Sequence, residues 1–242
     1  MRRGICLVGV LLLLAAALSW TLKLFGAQAT PALQPTSVIK AGTLILDAGH
    51  GGEDGGAVSV TGAAESGINL DIVLKMEDIL GFYGQAPILL RREDISLHDS
   101  SADTLREKKV SDLKNRVSAI ESVPGATLIS IHQNTYSDSR YHGAQVFYAD
   151  TEGSQELAQR LQTALHDNLQ PDNSRECKQI PDTVYLMNHI SCRAVLVECG
   201  FLTNPQEEAQ LRESTYQRKL AAVLSAAWLS ASAEESQESG DV

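Results

Sequence analysis

The sequence is poor in aromatic residues and has no excess of basic ones. Phe, Trp and Tyr make up 5% of the 242 residues, and 20 Lys and Arg stand against 30 Asp and Glu, for a formal net charge of −10. Proteins that grip nucleic-acid phosphates need a basic surface, so this balance argues against a nucleic-acid partner. The same charge argues against electrostatic docking to anionic polymers or to anionic lipid.

Cysteine is also scarce, and no two cysteines have the CxxC spacing of a zinc or redox motif. Cys6 lies within an apolar run, and Cys177, Cys192 and Cys199 follow much later in the chain. Three cysteines cannot all pair with one another, so a disulfide between Cys177 and Cys192 is left as an open alternative. Cys199 is predicted to be a small buried hydrophobe, with a stray metal ligand as its alternative.

The longest apolar run lies at the N-terminus. Arg2 and Arg3 precede a hydrophobic stretch over residues 4–22, and Ala27-Gln28-Ala29 offers small residues for cleavage. This arrangement predicts that residues 1–29 export the rest of the chain, as a signal peptide or as an N-terminal membrane anchor. The segment carries three basic residues and no acid, so the exported part would have a charge of −13. Contact with the membrane is expected through this segment only.

The remainder of the chain predicts one α/β domain between a linker and a tail. Residues 30–42 contain two prolines and predict a tether, and the acidic, serine-rich residues 231–242 predict a disordered tail. Residues 43–230 alternate short apolar runs with helical periodicity. Such alternation is typical of a single domain with a mixed, largely parallel sheet and helices on both faces.

Two loops and one helix start are predicted beyond the first strand. Residues 95–106 and 170–182 are polar and rich in turn formers, and we expect loops there, the second close enough to the third strand to border a site. Asn204 and Pro205 predict a helix N-cap and a first helical residue, with Glu207 as the reciprocal acid of a capping box.

The most informative segment joins an apolar run to a glycine-rich loop that carries a histidine. Residues 44–46 are apolar, and Asp47, His50 and a cluster of glycines follow at once. Glycine lets a backbone approach a ligand closely because it has no Cβ. The carboxyl ends of parallel strands are where open α/β sheets place their sites. The segment therefore predicts a ligand or metal site at the end of the first strand.

Three further residues complete a candidate metal site. Two more apolar runs end in His132 and Glu198, and Glu65 opens a helical pattern. Two imidazoles and one carboxylate form a catalytic zinc site with a fourth position for water, and a second carboxylate can act as general base for that water. Spacing alone does not say which glutamate binds the metal. The alternatives are loop histidines, a helix-start acid at Glu65 and a salt-bridged acid at Glu198.

Four separated motifs make the chain resemble the zinc-dependent N-acetylmuramoyl-L-alanine amidases over residues 43–228. In order, they are Asp47-Ala48-Gly49-His50-Gly51-Gly52, Glu65 before Asn69-Leu70, Ser130-Ile131-His132-Gln133-Asn134 and Val197-Glu198-Cys199-Gly200-Phe201-Leu202-Thr203-Asn204-Pro205. The resemblance implies one Zn²⁺ bound by His50, Glu65 and His132. It implies Glu198 as the catalytic carboxylate.

Within that family, the chain is most similar to the sporulation amidases of the spore cortex. Residues 142–148, residues 184–187 and the charged stretch 107–117 carry the narrower similarity. It implies hydrolysis of the amide between N-acetylmuramic acid and L-alanine in peptidoglycan, during muramic-δ-lactam formation and in the forespore intermembrane space. An exported activator protein is a further expectation. The alternatives are a cell-separation amidase, a zinc peptidase of the stem peptide and a catalytically silent wall-binding protein.

Four more residues are candidates for supporting the site or the substrate. Asp47 and Asn134 flank the two histidine motifs and are candidates for orienting the ligands, because a metal-bound histidine usually donates its other N–H to such a group. A loop cap is the alternative for Asp47. Arg92 and Arg116 are candidates for binding carboxylates of the stem peptide, with solvated surface arginines as the alternative.

Overall fold

A computed structural model of the chain describes residues 42–238, with side chains as far as residue 233. The predicted leader at residues 1–29 and nearly all of the predicted linker therefore lie outside the described residues. Within the described part, no helix combines the length and the apolar character needed to cross a bilayer.

Six strands form one sheet, in the order β2-β1-β3-β6-β4-β5. Neighbouring strands are parallel except β4 and β6, which are antiparallel. The predicted mixed, largely parallel sheet is therefore confirmed. The strands are β1 (Leu44–Ala48), β2 (Ile88–Leu89), β3 (Thr127–Asn134), β4 (Gln145–Tyr148), β5 (Lys178–Gln179) and β6 (Arg193–Phe201).

Helices cover both faces of this sheet, as the sequence predicts. One apolar core joins the first, third and sixth helices to one face, and a second core joins the second and fourth helices to the other face. The helices are α1 (Glu65–Phe82), α2 (Leu105–Glu121), α3 (Ser154–Asn168), α4 (Tyr185–Asn188), α5 (Pro205–Arg212) and α6 (Ser214–Glu238).

The alternation of side chains along the central strands directs three polar residues to the face covered by α2 and α4. Each follows directly on an apolar residue of the opposite core, and successive strand side chains point to opposite faces. Asp47 on β1, His132 on β3 and Glu198 on β6 therefore share one face, and His132 and Glu198 are direct register partners. The strands alone therefore place these three side chains on one face of the sheet, without a contribution from the loops.

The last helix continues past the boundary that the sequence predicts for a disordered tail. Helix α6 runs through Glu238, and Ala231 and Ser232 are buried. The prediction of disorder from residue 231 is wrong as far as Glu238. Alanine and glutamate are good helix formers, so an acidic composition does not by itself end a helix that is already packed.

The predicted start of α5 is confirmed in part. The Asn204 side chain accepts hydrogen bonds from the backbone N–H groups of Gln206 and Glu207. The predicted reciprocal role of Glu207 is wrong, because its carboxylate accepts from the N–H groups of Gly143 and Phe201 instead. Glu207 thereby joins the loop before β4 to the end of β6.

The three cysteines of the described part are free thiols. Cys177 and Cys192 are partly exposed and do not form the disulfide that the sequence left open. Cys199 is fully buried in the core on the α1 face, as predicted for a small hydrophobe, and burial raises the pKa of its thiol. A protonated, buried thiol facing away from His132 and Glu198 is a poor metal ligand.

Candidate active site

Three of the predicted site residues meet at the carboxyl ends of β1 and β3. His50 lies in the loop after β1, Glu65 begins α1 and His132 lies near the end of β3. Nε2 of His50 is 3.4 Å from Oε2 of Glu65, and Nδ1 of His132 is 3.0 Å from Oε1 of Glu65. One nitrogen or oxygen of each residue lies within 4.8 Å of the others.

This arrangement suits a zinc ion. Ligand atoms of a tetrahedral site with bonds of about 2.0–2.2 Å are about 3.3 Å apart. The separations of 3.4 Å and 3.0 Å are of this size, and each involves a different oxygen of Glu65. Glu65 is buried, whereas the side chains of His50 and His132 are 19% and 18% exposed. Three ligand atoms therefore converge with one side open to solvent, as a catalytic site with a water position requires.

Hydrogen bonds from three directions fix the Glu65 carboxylate. Oε2 accepts from the N–H of Ala57 at 2.9 Å, and Oε1 accepts from the N–H of Gln133 at 3.0 Å and from Nδ2 of Asn69 at 3.1 Å. Burial alone would raise the pKa of Glu65, but its bond to His132 and the nearby imidazole charges lower it to about 2. Glu65 is therefore ionised, as a metal ligand must be.

The His50 loop has a strained backbone and no room for extra side chains. His50 has a φ of 62°, a left-handed conformation that few non-glycine residues adopt. A Cβ added at Gly49 would lie 2.2 Å from the His132 ring, and one at Gly56 would lie 2.6 Å from Oε2 of Glu65. The glycines thus permit the close approach to the site that the sequence predicts.

Asp54 supplies the carboxylate that orients His50. Its Oδ2 lies 3.0 Å from Nδ1 of His50, and this bond keeps the pKa of Asp54 well below its ordinary value. With Nε2 directed at Glu65, the proton of a neutral His50 sits on Nδ1 and is donated to Asp54. The sequence does not predict this role, because a loop aspartate four residues after a histidine has many ordinary explanations.

Glu198 lies next to this cluster with a free carboxylate oxygen. It is the register partner of His132, and its Oε2 is buried with no hydrogen-bond partner in the described part of the chain. Burial raises the pKa of Glu198 to about 7, against the lowering effect of the His132 charge. A carboxyl group that titrates near neutral pH can both accept and return a proton, which is the property of a general base and acid.

Asp47 and Arg116 do not have the roles that are predicted from the sequence. Both are buried and form an ion pair, and Ser130 donates to the second oxygen of Asp47 at 2.6 Å. Arg116 also binds Asp112 and donates to the carbonyl of His50 at 2.8 Å. Asp47 therefore holds the His50 loop through Arg116 rather than touching an imidazole, and Arg116 is committed inside the protein.

Asn134 and Arg92 also make contacts other than the expected ones. The Asn134 side chain accepts from the N–H of Thr135 at 2.7 Å and so closes the end of β3 rather than orienting His132. Arg92 is exposed and paired with Glu77 on α1, as the surface alternative describes.

Comparison with known proteins identifies the family. The family model of the N-acetylmuramoyl-L-alanine amidases matches residues 44–228, which include every site residue described above. The chain belongs to this family. Membership makes the protein an amidase and decides against a peptidase that cuts within the stem peptide.

Two curated Bacillus subtilis amidases are similar to the chain. The germination-specific N-acetylmuramoyl-L-alanine amidase is 34% identical over 190 residues, covering 78% of this chain and 79% of that protein. The N-acetylmuramoyl-L-alanine amidase LytC is 29% identical, covering 74% of this chain but 33% of its own longer sequence.

Two solved amidase structures have a fold similar to that of this chain. The CwlD amidase from Clostridioides difficile, solved in complex with the GerS lipoprotein, has a TM-score of 0.75 and 38% identity over 78% of this chain and 99% of that one. An N-acetylmuramoyl-L-alanine amidase from Clostridium difficile 630 has a TM-score of 0.67 and 28% identity over 78% of this chain.

The amidase site also contains an arginine that the sequence analysis passed over in favour of its neighbour. Arg91 is buried, and its guanidinium donates to the carbonyls of Ala48, Gly49 and Ser66 at 2.8–3.0 Å. It therefore ties the end of β1 to the start of α1, the two elements that carry His50 and Glu65. No feature of the sequence distinguishes Arg91 from Arg92, because the difference arises from packing.

Proposed function

We propose that this amidase uses one zinc ion, bound by His50, Glu65 and His132, to hydrolyse the amide between the lactyl group of N-acetylmuramic acid and L-alanine. The observation that supports the proposal most directly is the convergence of the three ligand atoms beside Glu198. A decayed, wall-binding relative would be expected to lose a ligand or the base, and this chain keeps all four residues.

The described residues divide the chemistry between them. A zinc ion held by His50, Glu65 and His132 would supply Lewis acidity for the carbonyl and for the attacking water. Glu198 accepts the proton of the attacking water and returns it to the leaving α-amine. Asp54 holds the His50 imidazole in the tautomer that leaves Nε2 free.

Product analysis and metal analysis together test this proposal. The zinc-loaded protein, incubated with peptidoglycan, should release complete stem peptides that begin with the free amine of L-alanine, as resolved by mass spectrometry. Fragments cut within the stem would contradict it. His132→Ala should lose zinc but keep its far-ultraviolet circular dichroism, because the side chain lies near the carboxyl end of β3 and is partly exposed. Stoichiometric zinc in that variant would remove His132 from the ligand set.

We further propose a role in the spore cortex, where removal of the stem peptide leaves muramic acid free for lactam closure. The similarity to the germination-specific amidase of Bacillus subtilis supports this role. Deleting the gene should leave growth and division normal and give spores that lack muramic-δ-lactam and germinate poorly. Chained cells with a normal cortex would instead assign the enzyme to cell separation.

Export and a protein partner complete the proposal. The apolar residues 4–22 behind Arg2 and Arg3 support delivery across a membrane, into the forespore intermembrane space. The Clostridioides difficile relative was solved with a lipoprotein, which supports an exported partner here. Affinity purification from sporulating cells should recover such a protein in a fixed ratio. A chain recovered alone, fully active and with its zinc, would argue against a required partner.

A further inference from the structure

A small cavity opens beside the predicted zinc ligands, between the sheet and the helices α2 and α4. Its volume is about 190 Å³. Pockets that enclose drug-sized ligands measure about 300–1,000 Å³, so this cavity suits one small residue rather than a whole stem peptide. His50 and His132 line one side of it. Apolar side chains line another part of its wall, namely Leu113, Val184, Leu186 and Leu196.

Lys109 on α2 lines the same cavity and has a side chain that is 55% exposed. Its Nζ lies 3.4 Å from Oδ2 of Asp54, the carboxylate that orients His50. The other cation of the cavity wall, Arg116, is buried in its ion pairs with Asp47 and Asp112. Lys109 is therefore the lining cation whose ammonium reaches solvent and can meet a negative group on a ligand.

The size of the cavity favours the peptide half of the substrate over the glycan half, because one amino-acid residue is smaller than a muramoyl sugar. The base returns a proton to the leaving amine, so the peptide half must begin beside Glu198. Leu196 lies two residues earlier on β6, on the same face of the sheet, and lines the cavity. Part of the cavity wall therefore lies on the same strand and the same face as Glu198, about two strand residues away.

We infer that the cavity binds the L-alanine of the stem peptide, and that Lys109 binds the free α-carboxylate of the next residue, D-glutamate. This inference rests on the proposed function. The small apolar wall matches a methyl side chain. The D-glutamate continues the stem through its γ-carboxyl, which leaves its α-carboxylate free unless it is amidated. Since an extended residue spans about 3.3–3.6 Å, this carboxylate lies about two residue lengths from the leaving amine.

The inference is tested with two substrates and two matched variants. The substrates are glycan strands with L-alanyl-D-glutamate stems and the same strands with the α-carboxylate amidated. The wild type should prefer the carboxylate form about tenfold in kcat/KM, mainly through KM, because an ionic hydrogen bond is lost with the amide. Lys109→Met should abolish this preference, whatever its effect on the rate common to both substrates, whereas Lys109→Arg should retain it.

Lys108→Met is the matched control. It removes the same charge one residue away, from a side chain that pairs with Glu53 and lies outside the cavity wall. This variant should keep the wild-type preference. Equal cleavage of both substrates by the wild type would overturn the inference while leaving the amidase activity standing. A Lys109→Met variant that loses zinc and slows equally on both substrates would show that Lys109 acts only through Asp54. Failure of the zinc-loaded wild type on both substrates would overturn the proposed function itself, and the inference with it.

Discussion

His50 and Glu198 reach the same edge of the sheet but are held in opposite ways. His50 lies on a loop with a strained backbone, and side chains from elsewhere fix both its ring and its carbonyl. Glu198 lies inside β6, between β3 and β4, and its Oε2 has no partner among the described residues. One residue is positioned by hydrogen bonds and the other by the strand that carries it.

The difference fits the roles proposed for the two side chains, with His50 as a metal ligand and Glu198 as a general base. A metal ligand must present one fixed lone pair, so a partner on its other atoms improves it. A general base must exchange protons, and a permanent hydrogen bond to the same oxygen would compete with that exchange. The sheet supplies rigidity to Glu198 without occupying its carboxylate.

The largest effect is expected from changing Glu198, whose Oε2 has no hydrogen-bond partner among the described residues. Glu198→Gln keeps the volume and removes the ability to accept a proton, so kcat should fall by about 10²–10⁴, the usual scale of general acid–base catalysis. Zinc content and substrate binding should remain, because the three proposed ligands are untouched. Metal analysis and steady-state kinetics of the same preparation measure both quantities. Turnover near that of the wild type would mean that another group is the base.

For His50, the informative change is Arg116→Met, which should remove the hydrogen bond to its backbone carbonyl. The substitution leaves Asp47 and Asp112 without their cation and frees the carbonyl of His50. Removing one partner of a buried ion pair costs about 3–5 kcal/mol of unfolding free energy, which urea denaturation would measure. Zinc affinity should fall as well. A variant with wild-type stability and zinc affinity would show that the sheet alone holds the loop.

The sequence predicts the outline of this site well and its supports poorly. His132 and Glu198 end recognisable apolar runs, and the parallel sheet brings such ends together whatever the loops do. Arg91 contributes through contacts with residues far away in the sequence, and Asp54 lies in a loop without periodicity. Their roles depend on how the loops pack, and nothing local marks them. For the same reason, the sequence predicts Asp47 and Arg116 as separate site residues and not as an ion pair with one another.

A smaller effect is expected from the hydrogen bond that orients His50. Asp54→Asn keeps the shape but weakens the acceptor for Nδ1, and loss of such a partner lowers metal affinity by about 10–100-fold. Competition with a zinc chelator would measure the change. Glu53→Gln is the control, because the neighbouring acid pairs with Lys108 instead of an imidazole. Equal zinc affinity in both variants would show that the backbone of His50, and not Asp54, orients the imidazole.

The smallest effect should come from Arg92→Met, which sharpens the contrast with Arg116. Both arginines are paired with carboxylates, but Arg92 lies on the surface, and solvent screens its bond to Glu77. Stability should therefore be unchanged within error, and kcat/KM on peptidoglycan should stay within about twofold of the wild type, since an exposed pair contributes little. A marked rise in KM with normal folding would return Arg92 to the substrate-binding surface. It would also mean that the pair with Glu77 opens when a stem peptide arrives, and Glu77→Gln should then lower KM by making the guanidinium available.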